Sequence, residues 1–112
     1  MTVQLPLIAT NWSGTTEFAN ELNSFPVHIE SLVPVRNGAF SGHLWAQPSI
    51  LHLSEMMRYV VANPVGAAVK AKRAREDMVK LYSPAALAAT VLGHLDRIGA
   101  RLSSPESISR EL

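Results

Sequence analysis

The sequence contains no cysteine. That absence excludes a disulfide scaffold, a thiolate zinc site and a cysteine nucleophile together, and leaves the redox compartment open. Neither charge is in excess: ten Lys and Arg stand against nine Asp and Glu, a formal net charge of +1. No global field therefore draws the chain onto nucleic acid or an anionic membrane. Hydrophobic runs are short, and none approaches the ~18–20 residues that cross a bilayer as a helix. Thr2, Gln4, Pro6 and Asn11 interrupt the start, with no basic lead-in or cleavage site of a secretory signal. What is present is an ordinary globular composition, 47% hydrophobic over 112 residues, which is too apolar for disorder throughout and long enough for one domain. The expectation is a soluble, cytoplasmic chain without a transmembrane segment.

The first 36 residues read differently from the rest. Val3 to Ala9 is a short, mostly continuous apolar run ending at Thr10-Asn11, the pattern of a strand buried on both faces in a parallel sheet. Asn11-Trp12-Ser13-Gly14 is turn chemistry, with Gly14 able to take a positive φ. Thr15 or Thr16 can cap a short helix running to about Asn20. Phe25–Ile29 and Ser31–Val35 read as two further extended segments, kept off central ladder positions by Pro26 and Pro34. Arg36–Gln47 shows neither period and reads as a surface loop.

From Pro48 the chain is helical. Ser49 starts a helix to Ala62 with Ile50, Leu53, Met57, Val60 and Val61 on its apolar stripe. Asn63-Pro64 stops it and starts another, to Tyr82, whose narrow face is Ala67, Ala71, Ala74, Met78 and Leu81. Ser83-Pro84 repeats the start, and Leu87, Val91, Leu95, Ile98 and Leu102 should face inward. Residues 103–112 are polar and read as a disordered tail. The fold class is thus α/β: one buried parallel-type strand, short extended segments and three main C-terminal helices. A strand of that kind normally has a neighbour reached by a helical crossover, so the chain has the look of the back end of a larger α/β domain.

His28, His43, His52 and His94 form no i, i+4 pair and no recognisable ligand set, so no metal site is expected. Lys70, Lys72, Arg73, Arg75 and Lys80 crowd one helix, but no aromatic residue is interleaved for base stacking. A solvated face with Lys72–Glu76 and Arg73–Asp77 pairs is favoured over a nucleic-acid site. Asn11-Trp12-Ser13 fits the glycosylation pattern, incidentally in the absence of a secretory signal. The position with meaning is the turn from Asn11 to Glu17, because ligands in open α/β sheets bind beyond the carboxyl ends of strands.

Three segments in order carry a resemblance. Leu5 to Gly14 followed by Thr16-Glu17-Phe18, then Gly42 to Ser49 leading into His52-Leu53, then Arg73 to Asp77 leading to Tyr82-Ser83-Pro84 resemble the closing part of group-one GT-B glycosyltransferases. The resemblance extends to about Leu102. In that family an E-A-M-A-x-G-x-P run introduces the strand; Met1 falls on its Met and Pro6 on its Pro. Gln4 stands where glycine is usual, Thr15 where proline is frequent and Gln47 where glutamate is frequent. The family's E-x7-E element would lie before Met1.

The resemblance implies a partial Rossmann-like fold. Residues 1–102 would be the C-terminal part of a donor-binding domain, with a nucleotide-sugar donor and an acceptor as partners. Ser13, Gly14 and Glu17 would be donor-binding, with no catalytic residue, metal or other cofactor assigned. A remnant of this kind is expected to be inactive in sugar transfer alone, and to self-associate or be completed by an upstream chain. The alternative is a small non-enzymatic module that binds a partner through an exposed apolar face.

Overall fold

A computed structural model of the protein describes residues 1–103; the remainder of the expected polar tail lies outside the described residues. The fold is mixed α/β. Four strands come first, β1 (Ile8–Thr10), β2 (Phe25–Val27), β3 (Ile29–Pro34) and β4 (Leu44–Pro48), followed by helices α1 (Ile50–Ala62), α2 (Pro64–Tyr82) and α3 (Pro84–Leu102). The chain divides into two compact units, Met1–Met78 and Val79–Leu112.

In the first unit β1 and β2 pair in parallel, Ile8 opposite Phe25 and Thr10 opposite Val27. The crossover between them contains a single 3-10 turn, Ser13–Glu17, in place of the short helix expected to Asn20. The buried strand is also not the expected one. Ile8, Ala9 and Thr10 are only half-buried, whereas Phe25 and Val27 of β2 are 3% and 2% exposed. The reason is tertiary: α1 lies against both strands, but it is the Phe25 ring of β2 that meets Tyr59 of α1 at 6.0 Å and the Lys70 ammonium at 4.5 Å.

The segment read as a loop holds β4, which pairs antiparallel with β3 in register Leu32–Ala46 and Pro34–Leu44. Gly38 and Gly42 turn the connection with φ of 89° and 87°. Both prolines expected off central positions sit on two-stranded sheets, where every strand is an edge.

The helix starts follow the sequence signals. Ser49 caps α1 by accepting from the His52 N–H at 3.4 Å, and Ser83 caps α3 by accepting from the Ala86 N–H at 3.3 Å. Ala67, Ala71 and Ala74 are buried on the narrow face of α2, as their small size allows, while Met78 is half-buried and Leu81 exposed. Polar contacts tie this helix down. The Lys70 ammonium donates to the carbonyls of Glu21 and Ser24. Asn23 Nδ2 donates to Asp77 Oδ2 at 2.9 Å and to the Phe18 carbonyl at 3.0 Å. Asn23 Oδ1 accepts from the Asn20 N–H, so this buried amide is satisfied on both ends.

Two apolar stripes depart from expectation. In α1 the half-buried apolar positions are Leu53, Met56 and Val60, while Ile50, Met57 and Val61 are exposed. The inward stripe is narrower than the sequence implies, because it covers only the two short strands. In the second unit Leu87, Val91, Leu95, Ile98 and Leu102 of α3 are all exposed, contrary to the inward-facing stripe expected of them.

Candidate functional site

At the carboxyl end of β1 the chain turns sharply. The Asn11 N–H donates to the Val27 carbonyl at 2.9 Å, extending the parallel pairing by one bond, and the Trp12 N–H folds back to the Thr10 carbonyl. Ser13 then takes a φ of 53°. The left-handed residue of the turn is therefore Ser13 and not Gly14, as the sequence had led one to expect. A β-carbon costs roughly 1–2 kcal/mol in that conformation, so the turn stores strain. It is held closed by the Thr16 hydroxyl, which donates to the Ser13 carbonyl at 2.7 Å, and by the Thr15 carbonyl, which accepts from Ala19 N–H at 2.9 Å.

Beside this turn lies a cleft of about 550 Å³, within the roughly 300–1,000 Å³ range of small-molecule sites. Thr10, Trp12, Ser13, Gly14 and Thr15 contribute one part of its lining, and Leu44, Trp45, Ala46 and Pro48 of β4 contribute the other. The cleft is thus built by a parallel strand end and a separate antiparallel hairpin. Both tryptophans of the chain are on it. Trp12 is 36% exposed and Trp45 62%, so both indoles are in part open to solvent. The hydroxyls of Thr10, Ser13 and Thr15 are committed to no hydrogen bond among the described residues. No charged side chain belongs to the lining among the described residues.

Of the three expected donor-binding residues, Ser13 and Gly14 line the cleft. Glu17, at the end of the 3-10 turn, is exposed and outside that lining. The five-residue turn is also too short to build up the macrodipole of an α-helix, so its start offers no anion site of that kind. An added β-carbon at Gly14 would meet nothing within 4 Å, which makes this glycine an opening in the wall and not a steric necessity. Sequence reasoning left out Trp45, Thr10 and Pro48. The signal for Trp45 was weak, because β4 places its large side chains outward and its alanine inward.

The histidines are less scattered than expected. His28 and His52 stack with ring centroids 4.1 Å apart, and His52 Nδ1 accepts from the His28 backbone N–H at 3.1 Å. Among the described residues no group of three or more His, Asp or Glu side chains is gathered as for a metal ion. The basic helix spends several of its charges internally. Lys70 serves backbone carbonyls, Arg73 Nε pairs with Asp77 Oδ1 at 2.9 Å, and Arg75 donates to the Thr2 carbonyl. No helix of the described residues is long and apolar enough to cross a membrane.

The chain matches no protein-family model, no curated protein and no solved structure.

Proposed function

We propose that the chain carries the donor-side wall of a GT-B glycosyltransferase, built on a partial Rossmann-like fold, and that alone it transfers no sugar. The observation that carries this reading is the backbone at Gln4. Its φ is 57°, a left-handed conformation that favours glycine, and this is the position at which the family's introductory run has glycine. The positive φ at Gln4 supports the likeness independently of residue type. A second support is the position of the cleft, beyond the carboxyl end of a strand in a parallel pair, where α/β folds bind ligands.

Ser13 and Gly14 are the donor-binding residues on this reading, with Glu17 close by in sequence. The inactivity follows from electrostatics. Transfer from a nucleotide-sugar requires stabilising a departing diphosphate and positioning an acceptor oxygen, and convergent charged or dipolar groups supply both. A lining of hydroxyl, indole and aliphatic groups holds a ring but does not neutralise a diphosphate. The experiment is to expose the purified chain to a panel of nucleotide-sugars, expecting binding without release of nucleoside diphosphate.

Replacing Gln4 by glycine relieves roughly 1–2 kcal/mol of left-handed strain, offset by about 0.4–1 kcal/mol of added freedom in the unfolded chain. A net gain of about 0.5–1 kcal/mol in urea denaturation is expected. Gln4→Ala should give none, and equal behaviour of the two variants would remove the support.

A second reading, a partner-binding module, is favoured by one observation: the continuous exposed stripe from Leu87 to Leu102 on α3 is apolar surface of the kind that marks interaction sites.

A further inference from the structure

We infer that the cleft recognises the sugar ring itself, as a neutral saccharide stacked on the indoles of Trp12 and Trp45, and not the nucleotide or its phosphates. The inference deepens the donor-side reading and rests on it for the ligand's place in a donor.

An anion would require a cation or a convergent set of N–H donors, and the lining among the described residues contains no charged side chain. A purely apolar ligand would leave the hydroxyls of Thr10, Ser13 and Thr15 without partners once water is displaced. A pyranose satisfies both halves. Its C–H faces are apolar and slightly positive and meet the negative face of an indole, while its rim of hydroxyls donates to and accepts from side-chain hydroxyls. The two tryptophans come from different elements, Trp12 from the turn after β1 and Trp45 from β4. One ring bound there therefore bridges two parts of the unit that lie 33 residues apart in the sequence. Gly14 supports the same view, since its missing side chain leaves the wall open beside Ser13.

A nucleobase also stacks on indole, and this competitor is answered by experiment. Trp12 and Trp45 are the only tryptophans, so intrinsic fluorescence reports the cleft directly. The full chain is titrated with methyl glycosides of common hexoses and N-acetylhexosamines, and in parallel with uridine, guanosine and inorganic phosphate. The expected result is a saturable fluorescence change with at least one methyl glycoside, and none with nucleosides or phosphate. Trp45→Ala should weaken that binding about tenfold or more, while Trp45→Phe, which keeps an aromatic face, should weaken it less. Trp45 is an exposed residue of an edge strand, and unchanged far-UV circular dichroism identifies a variant that is folded. Trp12→Phe gives the same comparison from the other element.

A response to nucleosides without any response to glycosides overturns the inference while leaving the donor-side reading standing. Silence toward every glycoside, with nucleotide-sugars still bound, does the same. Binding of glycosides with nucleotide-sugars bound no more tightly keeps the inference and removes the donor-side reading.

Discussion

Phe25→Ala should abolish cooperative unfolding of the first unit. Among the described residues the buried apolar set consists of Ala19, Phe25, Val27, Ala46, Ala67, Ala71 and Ala74. Five are alanines, so Phe25 is by far the largest apolar side chain buried there. Truncating a buried phenylalanine costs about 3–5 kcal/mol. Here it also removes the ring over which the Lys70 ammonium sits at 4.5 Å, an interaction of about 0.5–2 kcal/mol. Ordinary domains have only about 5–15 kcal/mol in total, and a core of alanines belongs at the low end. A thermal scan by circular dichroism should show the parent's transition replaced by a shallow, featureless slope. A variant melting within a few degrees of the parent would mean that the core lies elsewhere.

The converse substitution should be nearly as damaging. Ala74 is 0% exposed on the narrow face of α2, the face tied to the Glu21–Ser24 segment through Lys70, Asn23 and Asp77. Ala74→Leu inserts three carbon atoms where the helix is held close. Overpacking of that kind costs about 1–3 kcal/mol and sometimes more. It should also pull Asp77 away from Asn23, whose buried amide then loses a partner at about 1–3 kcal/mol. Urea denaturation is expected to show a midpoint well below the parent's. Ala68→Leu, on the exposed side of the same helix, should stay within about 0.5 kcal/mol. Equal loss from both variants would show that helix propensity, and not close packing, governs this helix.

These two residues also show what the sequence made legible. The alanine face was readable because α2 keeps one period over its buried part, and its start was punctuated by Asn63-Pro64. The starts of α1 and α3 were readable for the same reason, each a serine whose hydroxyl accepts from a first-turn N–H. Burial was harder to read. The run Val3–Ala9 is more apolar than Phe25-Pro26-Val27, yet β2 is the buried strand. What decides this is the ring of Tyr59 and the ammonium of Lys70, which arrive from distant positions. β4 was missed because Leu44, Trp45 and Gln47 are exposed and only Ala46 is buried. A small inward residue between large outward ones inverts the usual strand signal. The cleft was half legible: Ser13 and Gly14 sit on a turn whose position carries meaning, while Trp45 belongs to the strand that the pattern concealed. The strain at Ser13 could not be read at all, since serine beside glycine points to the glycine as the left-handed residue.

The most direct measurement is saturation-transfer nuclear magnetic resonance on the purified chain with nucleotide-sugar donors, followed by assay of the same samples for nucleoside diphosphate. The cleft as described predicts transfer of saturation mainly to the pyranose protons and less to those of the base. The signal should diminish in Trp45→Ala, with no diphosphate release above a heat-killed control. Absence of transfer to every donor would contradict the donor-side wall, and turnover that disappears in Glu17→Ala would contradict the claim that this chain alone moves no sugar.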